Sequence, residues 1–365
     1  MLFDKLKVLS NVLTKKLDQV EVVPNKCLKV RAVTSSCSAC VDVCPKNSIE
    51  FKLDSIELND SCINCGLCTT VCLTNALKWN APPLIQLNNQ VIRLAESEDI
   101  VYIACSAIAK ENLHANVIEV PCLGMLPSAF WLSVKLNATN VHILHQSGCC
   151  HTCHISTGEA LFMKQLEEAE QYLNEKITIC SIIDAESAGA KEIVDHSRRR
   201  LFTSLFEDVN ELNTITAKEV FEVEKTLTPF ERFDQYYKQQ SEVEELVEEV
   251  NEIKDYAVDK LLNDTVIHSD KNALLFKEFT KNPTLQQQMT FLMPEMKESC
   301  TRCGACAFLC PTNAIIMDNG SMILSTNKCV SCGLCEEICY EKHIQLKPKN
   351  GTIFNEKFMY LLKEK

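Results

Sequence analysis

Near its C-terminal end the sequence repeats one cysteine motif, as CTRCGACAFLCP from Cys300 to Pro311 and as CVSCGLCEEICY from Cys329 to Tyr340. Both copies have the spacing C-x2-C-x2-C-x3-C, which wraps one loop around an iron–sulfur cubane and sends the fourth cysteine to a neighbouring cluster. The motif therefore predicts two [4Fe–4S] clusters with crossed ligand sets. These sets are Cys300, Cys303, Cys306 and Cys339 for one cluster, and Cys329, Cys332, Cys335 and Cys310 for the other.

The stretch between the two copies, IIMDNGSMILS, predicts a pair of short strands. Its central Asn319-Gly320 dipeptide favours a two-residue hairpin turn, because both turn residues must adopt positive φ angles. We expect this strand pair to support the two clusters in a small α+β domain.

A second cysteine-rich region, from Cys27 to Cys72, repeats the pattern with one change. CINCGLCTTVC is complete, whereas its partner CSACVDVCP has Thr34 where the leading cysteine would stand. Cys27 lies upstream and is predicted to supply the missing ligand; with three thiolates only, a three-iron cluster would form instead. The predicted ligand sets are Cys27, Cys37, Cys40 and Cys72 for one [4Fe–4S] cluster, and Cys62, Cys65, Cys68 and Cys44 for the other.

Both regions resemble bacterial dicluster ferredoxin domains, in which proline follows the last cysteine, as Pro45 and Pro311 do here. Leu73 and Tyr340 depart from that pattern but leave the cysteines in place. Zinc knuckles and disulfides are the competing interpretations, and zinc sites more commonly use paired C-x2-C units than four cysteines in one run. The resemblance implies four [4Fe–4S] clusters in two ferredoxin-like domains.

The middle of the chain, from residue 99 to about 190, alternates short apolar runs with helical segments. DIVYIAC, NVIEVPC, NVHILHQSGC and KITICSII predict strands, with helices between them. This alternation predicts a parallel sheet, whose ligands bind beyond the carboxyl ends of the strands. Cys180, inside the fourth predicted strand, is expected to be a packed core thiol. Five thiols are predicted to meet at the binding edge: Cys105, Cys122, Cys149, Cys150 and Cys153.

The residues alone leave the content of this edge open. Four of the five thiols suit a [2Fe–2S] cluster, whereas a zinc ion would take thiols together with His151 or His154. CHTCH, residues 150–154, also fits the C-x2-C-H pattern of covalently attached haem c. Unliganded redox thiols are the remaining alternative.

The segment PCLGMLPSAFWLSVKLNATNVHILHQSGCCHTCHISTGEA, residues 121–160, resembles the delta (iron–sulfur) subunit family of methyl-viologen-reducing hydrogenases. The resemblance lies in a Pro-Cys-x-Gly turn, a helix, a strand ending in Gly-Cys, and a later cysteine followed by histidine. It implies electron transfer between a catalytic subunit and an acceptor. The ligands that it implies for a [2Fe–2S] cluster are Cys105, Cys122, Cys149 and Cys153, with Cys150 as an alternative ligand.

Composition and charge narrow the class of protein further. The 365 residues include 22 cysteines and 9 glycines, and the glycines form neither a GxGxxG nor a GxxxxGK[ST] stretch, so no dinucleotide or P-loop site is predicted. A net charge of −12 argues against nucleic-acid binding. No secretory signal is recognisable, and the most apolar stretch is interrupted by Glu119, Pro121 and Pro127, so we expect a cytoplasmic protein without a membrane span.

These patterns predict a multidomain α+β and α/β protein, in which two ferredoxin-like dicluster domains flank a small parallel-sheet domain. The segment from Leu201 to Met293 has no metal-binding pattern and is expected to be a helical linker, with an acidic amphipathic helix near Val243 to Ala257. The predicted segments are an N-terminal helix (1–22), a dicluster domain (23–82), an α/β domain (95–195), the linker (196–293), a second dicluster domain (294–348) and a C-terminal tail (349–365).

The expected function is electron transfer, since no catalytic constellation is recognisable and the chain is not expected to be catalytic alone. It is predicted to relay single electrons within a larger oxidoreductase complex, such as a hydrogenase or formate dehydrogenase. The expected partners are a catalytic subunit (a molybdopterin enzyme or hydrogenase) and an electron acceptor. One ferredoxin-like domain would take electrons, the central domain would relay them and the other would deliver them. The alternative is a cytoplasmic redox sensor or assembly factor using the central thiols or a zinc site.

Overall fold

A computed structural model of the chain describes residues 19–109, 116–146, 148–181 and 270–364, all of which belong to one structural unit. Most of the predicted N-terminal helix and of the linker, including the acidic helix, lies outside these ranges. Within them, no helix combines the length and apolar character needed to cross a bilayer.

The regular elements are short in both cysteine-rich regions and longer between them. The strands are β1 (Val20–Val22), β2 (Ile49–Phe51), β3 (Ile56–Leu58), β4 (Leu77–Trp79), β5 (Val101–Cys105), β6 (Val117–Val120), β7 (Val141–Leu144), β8 (Ile179–Cys180), β9 (Thr290–Met296), β10 (Ile315–Asp318), β11 (Ser321–Ser325), β12 (Ile344–Asn350) and β13 (Phe358–Leu362). The helices are α1 (Leu28–Arg31), α2 (Ala39–Asp42), α3 (Leu67–Val71), α4 (Leu84–Ala95), α5 (Ser106–Ala109), α6 (Ser128–Asn137), α7 (Gly158–Leu173), α8 (Asp270–Lys281), α9 (Pro283–Gln288), α10 (Ala305–Phe308) and α11 (Leu334–Glu337).

The predicted parallel sheet is confirmed, with four strands in the order β6-β5-β7-β8. Val101, Tyr102 and Ile103 of β5 have no exposed surface, as expected for a central strand that is covered on both faces. Trp131 of α6 lies edge-on to Phe162 of α7, with ring centroids 6.0 Å apart. This aromatic contact joins the two helices that follow strands β6 and β7 in the chain.

The N-terminal cysteine-rich region begins with a strand. Val20–Val22, predicted as the end of a helix, forms β1 and pairs antiparallel with β4, Val20 opposite Trp79. The alternation Val-Glu-Val, with Val20 buried and Glu21 exposed, favours a half-buried strand over a helix. A second antiparallel pair, β2 with β3, completes the sheet structure described in this region.

The C-terminal cysteine-rich region contains the predicted hairpin. Strands β10 and β11 pair antiparallel around Asn319 and Gly320, whose φ angles are 43° and 74°. Residues 290–293, assigned to the helical linker by the sequence, instead form one strand with residues 294–296, β9, which pairs with β12. Residues 358–362, assigned to a tail, form β13 and extend the hairpin sheet beside β11. Both strands are recognised only through partners distant in sequence, so local patterns did not identify them.

An aromatic cluster holds this last region together. Phe354 lies with its ring centroid 4.7 Å from those of both Phe276, on α8, and Phe291, on β9. Phe279 of α8 stacks on Phe354 at 6.3 Å. The cluster joins the chain end to the helix that leads into the region, since Phe354 lies just before β13.

We expect Phe354→Ala to lower the local unfolding free energy by about 3–5 kcal/mol, because the substitution leaves a cavity among three other rings. The measurement is hydrogen–deuterium exchange, in which amides of β9, β12 and β13 should exchange faster. Leu292→Ala is the control, since Leu292 lies beside this cluster in sequence but is 46% exposed. Equal protection in the two variants would contradict the assigned role of the ring cluster.

Candidate metal centres

The loops around the cysteine motifs share one backbone pattern. In every motif the third residue after the last cysteine has a positive φ angle, and Gly66, Gly304 and Gly333, which open α3, α10 and α11, have φ of 76°, 76° and 80°. Left-handed backbone is most accessible to glycine and asparagine, which explains the residue types at all of these positions except Lys342. The residues three positions after the last cysteine of each motif are Asn47, Asn75, Asn313 and Lys342, with φ of 48°, 55°, 50° and 54°.

This turn directs backbone N–H groups at sulfur. In three of the four motifs, the backbone N–H of the residue four positions after the last cysteine donates a hydrogen bond to the Sγ atom of that cysteine. In one motif, a backbone N–H also donates to the Sγ atom of the first cysteine. Hydrogen bonds to thiolate sulfur are one of the means by which a protein sets the potential of an iron–sulfur cluster. The bonds are Ser48 N to Cys44 (3.4 Å), Ala314 N to Cys310 (3.2 Å), His343 N to Cys339 (3.2 Å) and Arg302 N to Cys300 (3.4 Å).

Four groups of thiols are named here by number. Site 1 is Cys27, Cys37, Cys40 and Cys72; site 2 is Cys44, Cys62, Cys65 and Cys68; site 3 is Cys310, Cys329, Cys332 and Cys335; site 4 is Cys300, Cys303, Cys306 and Cys339.

The four thiols of site 1 lie close enough for their charges to influence one another. Burial, and then the charges of Cys72, Cys27 and Cys37, raise the pKa of Cys40 to about 12. Burial also raises the pKa of Cys27, again with contributions from Cys72 and Cys37. The displaced Cys27 thus lies beside the thiols that the sequence assigns to it.

Site 2 lies against site 1. Burial, followed by the charges of Cys65, Cys40 and Cys62, raises the pKa of Cys68 far above its ordinary value. Cys44 contributes as well and belongs to the neighbouring motif, as the crossed assignment requires. Cys40 is a member of site 1, so the two groups are adjacent.

Sites 3 and 4 repeat this relation. Burial raises the pKa of Cys332 to about 11, and Cys310 of the other motif contributes to the increase. Cys335 of site 3 also interacts with Cys306 of site 4. At site 4, burial and the charges of Cys300 and Cys303 raise the pKa of Cys306 to about 12. The segment after Cys339 lies alongside, because Thr301 Oγ1 donates to Glu341 at 2.9 Å.

These groups fit iron–sulfur clusters by the chemistry of their donors. All 22 cysteines are described as free thiols. Crowding and burial disfavour bare thiolates, so such groups are stable either as neutral thiols or with a bound cation. Thiolates of this number and spacing would hold four-iron clusters, whose positive iron ions offset the repulsion between sulfur ligands.

The remaining candidate metal ligands lie at the carboxyl edge of the parallel sheet. They are called here the central site: Cys105, Cys122, Cys149 and Cys153. Cys105 ends β5, and Cys122 follows β6. Burial raises the pKa of both thiols, that of Cys122 to about 12, and Cys153 contributes to both increases. Cys149 contributes to the increase at Cys105. These thiols therefore lie near one another at the carboxyl edge of the sheet.

His145 is a candidate ligand that the sequence analysis missed. Its Nε2 lies 3.8 Å from Cys150 Sγ, which lies 3.9 Å from Cys149 Sγ, and the three donor atoms could hold one metal ion. Glu159 approaches the same nitrogen at 3.5 Å. His145 directly follows β7, and the rule that ligands gather beyond strand ends could have identified it.

The two histidines proposed from the sequence as zinc ligands, His151 and His154, are exposed and do not belong to this group. Each directly follows a cysteine in the short loop after Gly148, and their role as zinc ligands stays a prediction. Cys180 also differs from expectation, because it is half-buried and its Sγ lies 3.7 Å from His142 Nδ1.

Comparison with known proteins identifies the C-terminal region. Residues 299–344 match the family of 4Fe-4S dicluster domains, and this range contains every cysteine of sites 3 and 4. The chain therefore carries an iron–sulfur ferredoxin domain that binds [4Fe–4S] clusters at this end. The ferredoxin-like nature of the N-terminal region and the hydrogenase-delta resemblance of the central one remain predictions.

Two curated relatives are also similar over short segments. The chain is 34% identical over 61 residues to the pyruvate synthase subunit PorD of Thermotoga maritima, and 46% identical over 33 residues to a ferredoxin-like protein in the nif region of Sinorhizobium fredii. These segments are 16% and 9% of this chain, and span 62% and 52% of the relatives. No solved structure matches the chain.

We expect Gly158→Ala to disturb the central site selectively. A Cβ atom at this position would lie 2.5 Å from Cys122 Sγ and 3.1 Å from Ile155 Cγ2, so the thiol must move. The overpacking should cost about 1–3 kcal/mol of stability. Iron analysis and electron paramagnetic resonance should show a changed central signal beside unchanged [4Fe–4S] signals. Met163→Ala, at an exposed position of the same helix, should leave all signals intact.

We expect Cys27→Ala to convert site 1 to a three-iron form, because three thiolates remain. The measurement is electron paramagnetic resonance of the oxidised protein, in which a new three-iron signal should appear while sites 3 and 4 keep theirs. Cys180→Ala, a cysteine outside every group, is the control. A spectrum identical to that of the unaltered chain would show that Cys27 is not a ligand.

Proposed function

We propose that this protein is an electron-transfer subunit that relays single electrons between redox partners within a larger oxidoreductase. The observation that carries the proposal is the presence of five groups of neighbouring thiols in one structural unit, one pair of them within a 4Fe-4S dicluster domain. We propose [4Fe–4S] clusters at sites 1 to 4 and a [2Fe–2S] cluster at the central site, five in total.

The side chains favour relay over chemistry on a substrate. A cluster supplies one-electron transfer with little rearrangement, and burial and N–H···S bonds adjust its potential. Lys271 adds a cation near site 1, where its Nζ donates to the carbonyl oxygen of Cys72 at 2.8 Å. A nearby positive charge favours the reduced state of such a cluster, so these groups can set differences in potential between sites.

The proposed partners are a catalytic oxidoreductase subunit, such as a molybdopterin enzyme or hydrogenase, and an electron acceptor. One relative is named as a subunit of pyruvate synthase, an oxidoreductase, which supports a partner of this class. The net charge of −12 would suit a partner with a basic contact surface. We propose a cytoplasmic location, where thiols stay reduced and available as ligands.

A second candidate function is a redox sensor or assembly factor that acts through the central thiols. It is favoured by the group of His145, Cys149 and Cys150, whose donor atoms lie within 4.8 Å of one another. Sulfur and nitrogen donors of this kind suit zinc. The two functions differ in what the central region binds.

Metal analysis of anaerobically purified protein separates the two. We expect iron and acid-labile sulfide for four [4Fe–4S] clusters and one [2Fe–2S] cluster, with a distinct [2Fe–2S] signal after reduction and no stoichiometric zinc. Cys150→Ser should leave that signal in place, whereas Cys122→Ser should abolish it. Bound zinc that is lost in Cys150→Ser would favour the sensor, and a colourless protein without iron would end the relay proposal.

A further inference from the structure

The two cysteine-rich regions contact each other directly through Arg31. This side chain, four residues after Cys27 of site 1, donates from Nη2 to the carbonyl oxygens of Phe308 and Cys310, both at 2.8 Å. Its Nε donates to the carbonyl oxygen of Leu309 at 3.3 Å. Cys310 belongs to site 3, so one guanidinium joins the backbone of one cysteine group to the helix beside another.

Apolar side chains close the same junction. Leu28, Ala32 and Leu334 are buried together, with exposed fractions of 8%, 8% and 1%. Cys37 of site 1 and Cys332 of site 3 both pack against this small cluster. Cys37 and Cys332, from two different motifs, thus pack against the same buried apolar cluster.

An anionic side chain completes it. Glu337 of α11 accepts hydrogen bonds from Ser35 Oγ at 3.1 Å and from the backbone N–H of Ser36. These hydrogen bonds lower the pKa of Glu337 against the effect of its burial. The junction of sites 1 and 3 is therefore held by a cation, an anion and an apolar centre.

The N-terminal region also contacts the central site. Cys65 of site 2 is buried in a cluster against which Cys122 and Cys153 pack. Thr157 Oγ1 donates to the carbonyl oxygen of Val43 at 2.6 Å, next to a site 2 cysteine. Site 2 is the group that meets the central thiols.

We propose that the five sites form a single row in the order central site, site 2, site 1, site 3, site 4, with Arg31 as the positioning residue at its middle junction. This inference rests on the proposed function. It differs from the arrangement expected from the sequence, in which the central domain stands between the two ferredoxin-like domains. Each step oxidises one site by one electron and reduces the next by one, without proton transfer. One-electron redox proteins would serve as donor and acceptor at the two ends.

The outer end of the row is open to a partner. Of the 22 cysteines, all within the described residues, Cys303 of site 4 is the one exposed to solvent. The central thiols are half-buried. Tyr340, which follows Cys339 of the same site, is 97% exposed. A redox partner can therefore approach site 4 more closely than sites 1 to 3.

The test injects electrons at site 4 and follows their arrival at the central site. Lys363→Cys, whose position accepts a hydrogen bond from Arg302 beside Cys303 at 3.0 Å, would carry a ruthenium photosensitiser. After a flash, freeze-quenched samples give the [2Fe–2S] and [4Fe–4S] signals separately. We expect Arg31→Ala to slow arrival about tenfold or more, since three charge-assisted hydrogen bonds are lost, and Arg31→Lys to restore part of the rate.

A second readout concerns the junction itself. Magnetic coupling between reduced sites 1 and 3 should weaken in Arg31→Ala, and Cys37→Ser should stop transfer while site 4 is still reduced. Arg93→Ala, an exposed arginine on α4, is the control and should change neither signal. Unchanged arrival in both Arg31→Ala and Cys37→Ser would overturn the row but leave the relay standing. An electron that never leaves site 4 in the labelled protein with Arg31 and Cys37 intact would refute the relay itself.

Discussion

The crowding of sulfur ligands is the constraint on which this molecule depends. Thiolates repel one another, and burial adds the cost of removing each negative charge from water, which is why thiols such as Cys40 and Cys306 have raised pKa values. Bound iron reverses both effects. This accounts for the left-handed loop residues and for the N–H groups directed at sulfur. They orient the sulfur ligands of each loop toward one cluster while the loop itself stays short.

Contacts between the regions also involve the backbone near the cysteines. Two contacts between regions are made beside a cysteine group, by Arg31 on the carbonyl of Cys310 and by Thr157 on that of Val43. Gly124 of the central region also allows a close approach, since a Cβ there would lie 2.8 Å from Leu67 Cδ2 of the N-terminal region. Distances between redox sites are therefore fixed by the backbone near the ligands, where a small shift would matter most.

Local sequence was sufficient wherever the interaction is local. The cysteine spacing, the Asn319-Gly320 turn and the strand–helix alternation each act over a few residues, and the hairpin and parallel sheet are as predicted. Contacts between distant residues were not predictable: Arg31 and Cys310 are 279 positions apart. β9 and β13 were missed because their partners lie elsewhere in the chain. His145 was passed over for two histidines nearer the cysteines in sequence.

The solvent-facing side chain of Cys303 also has a chemical cost. Dioxygen and peroxides diffuse to whatever a protein leaves uncovered, and sulfur ligands at such a position are the first to be oxidised. Aerobic damage would then begin at site 4 and advance inward, so a sample handled in air would lose its connection to partners while its interior clusters were still intact.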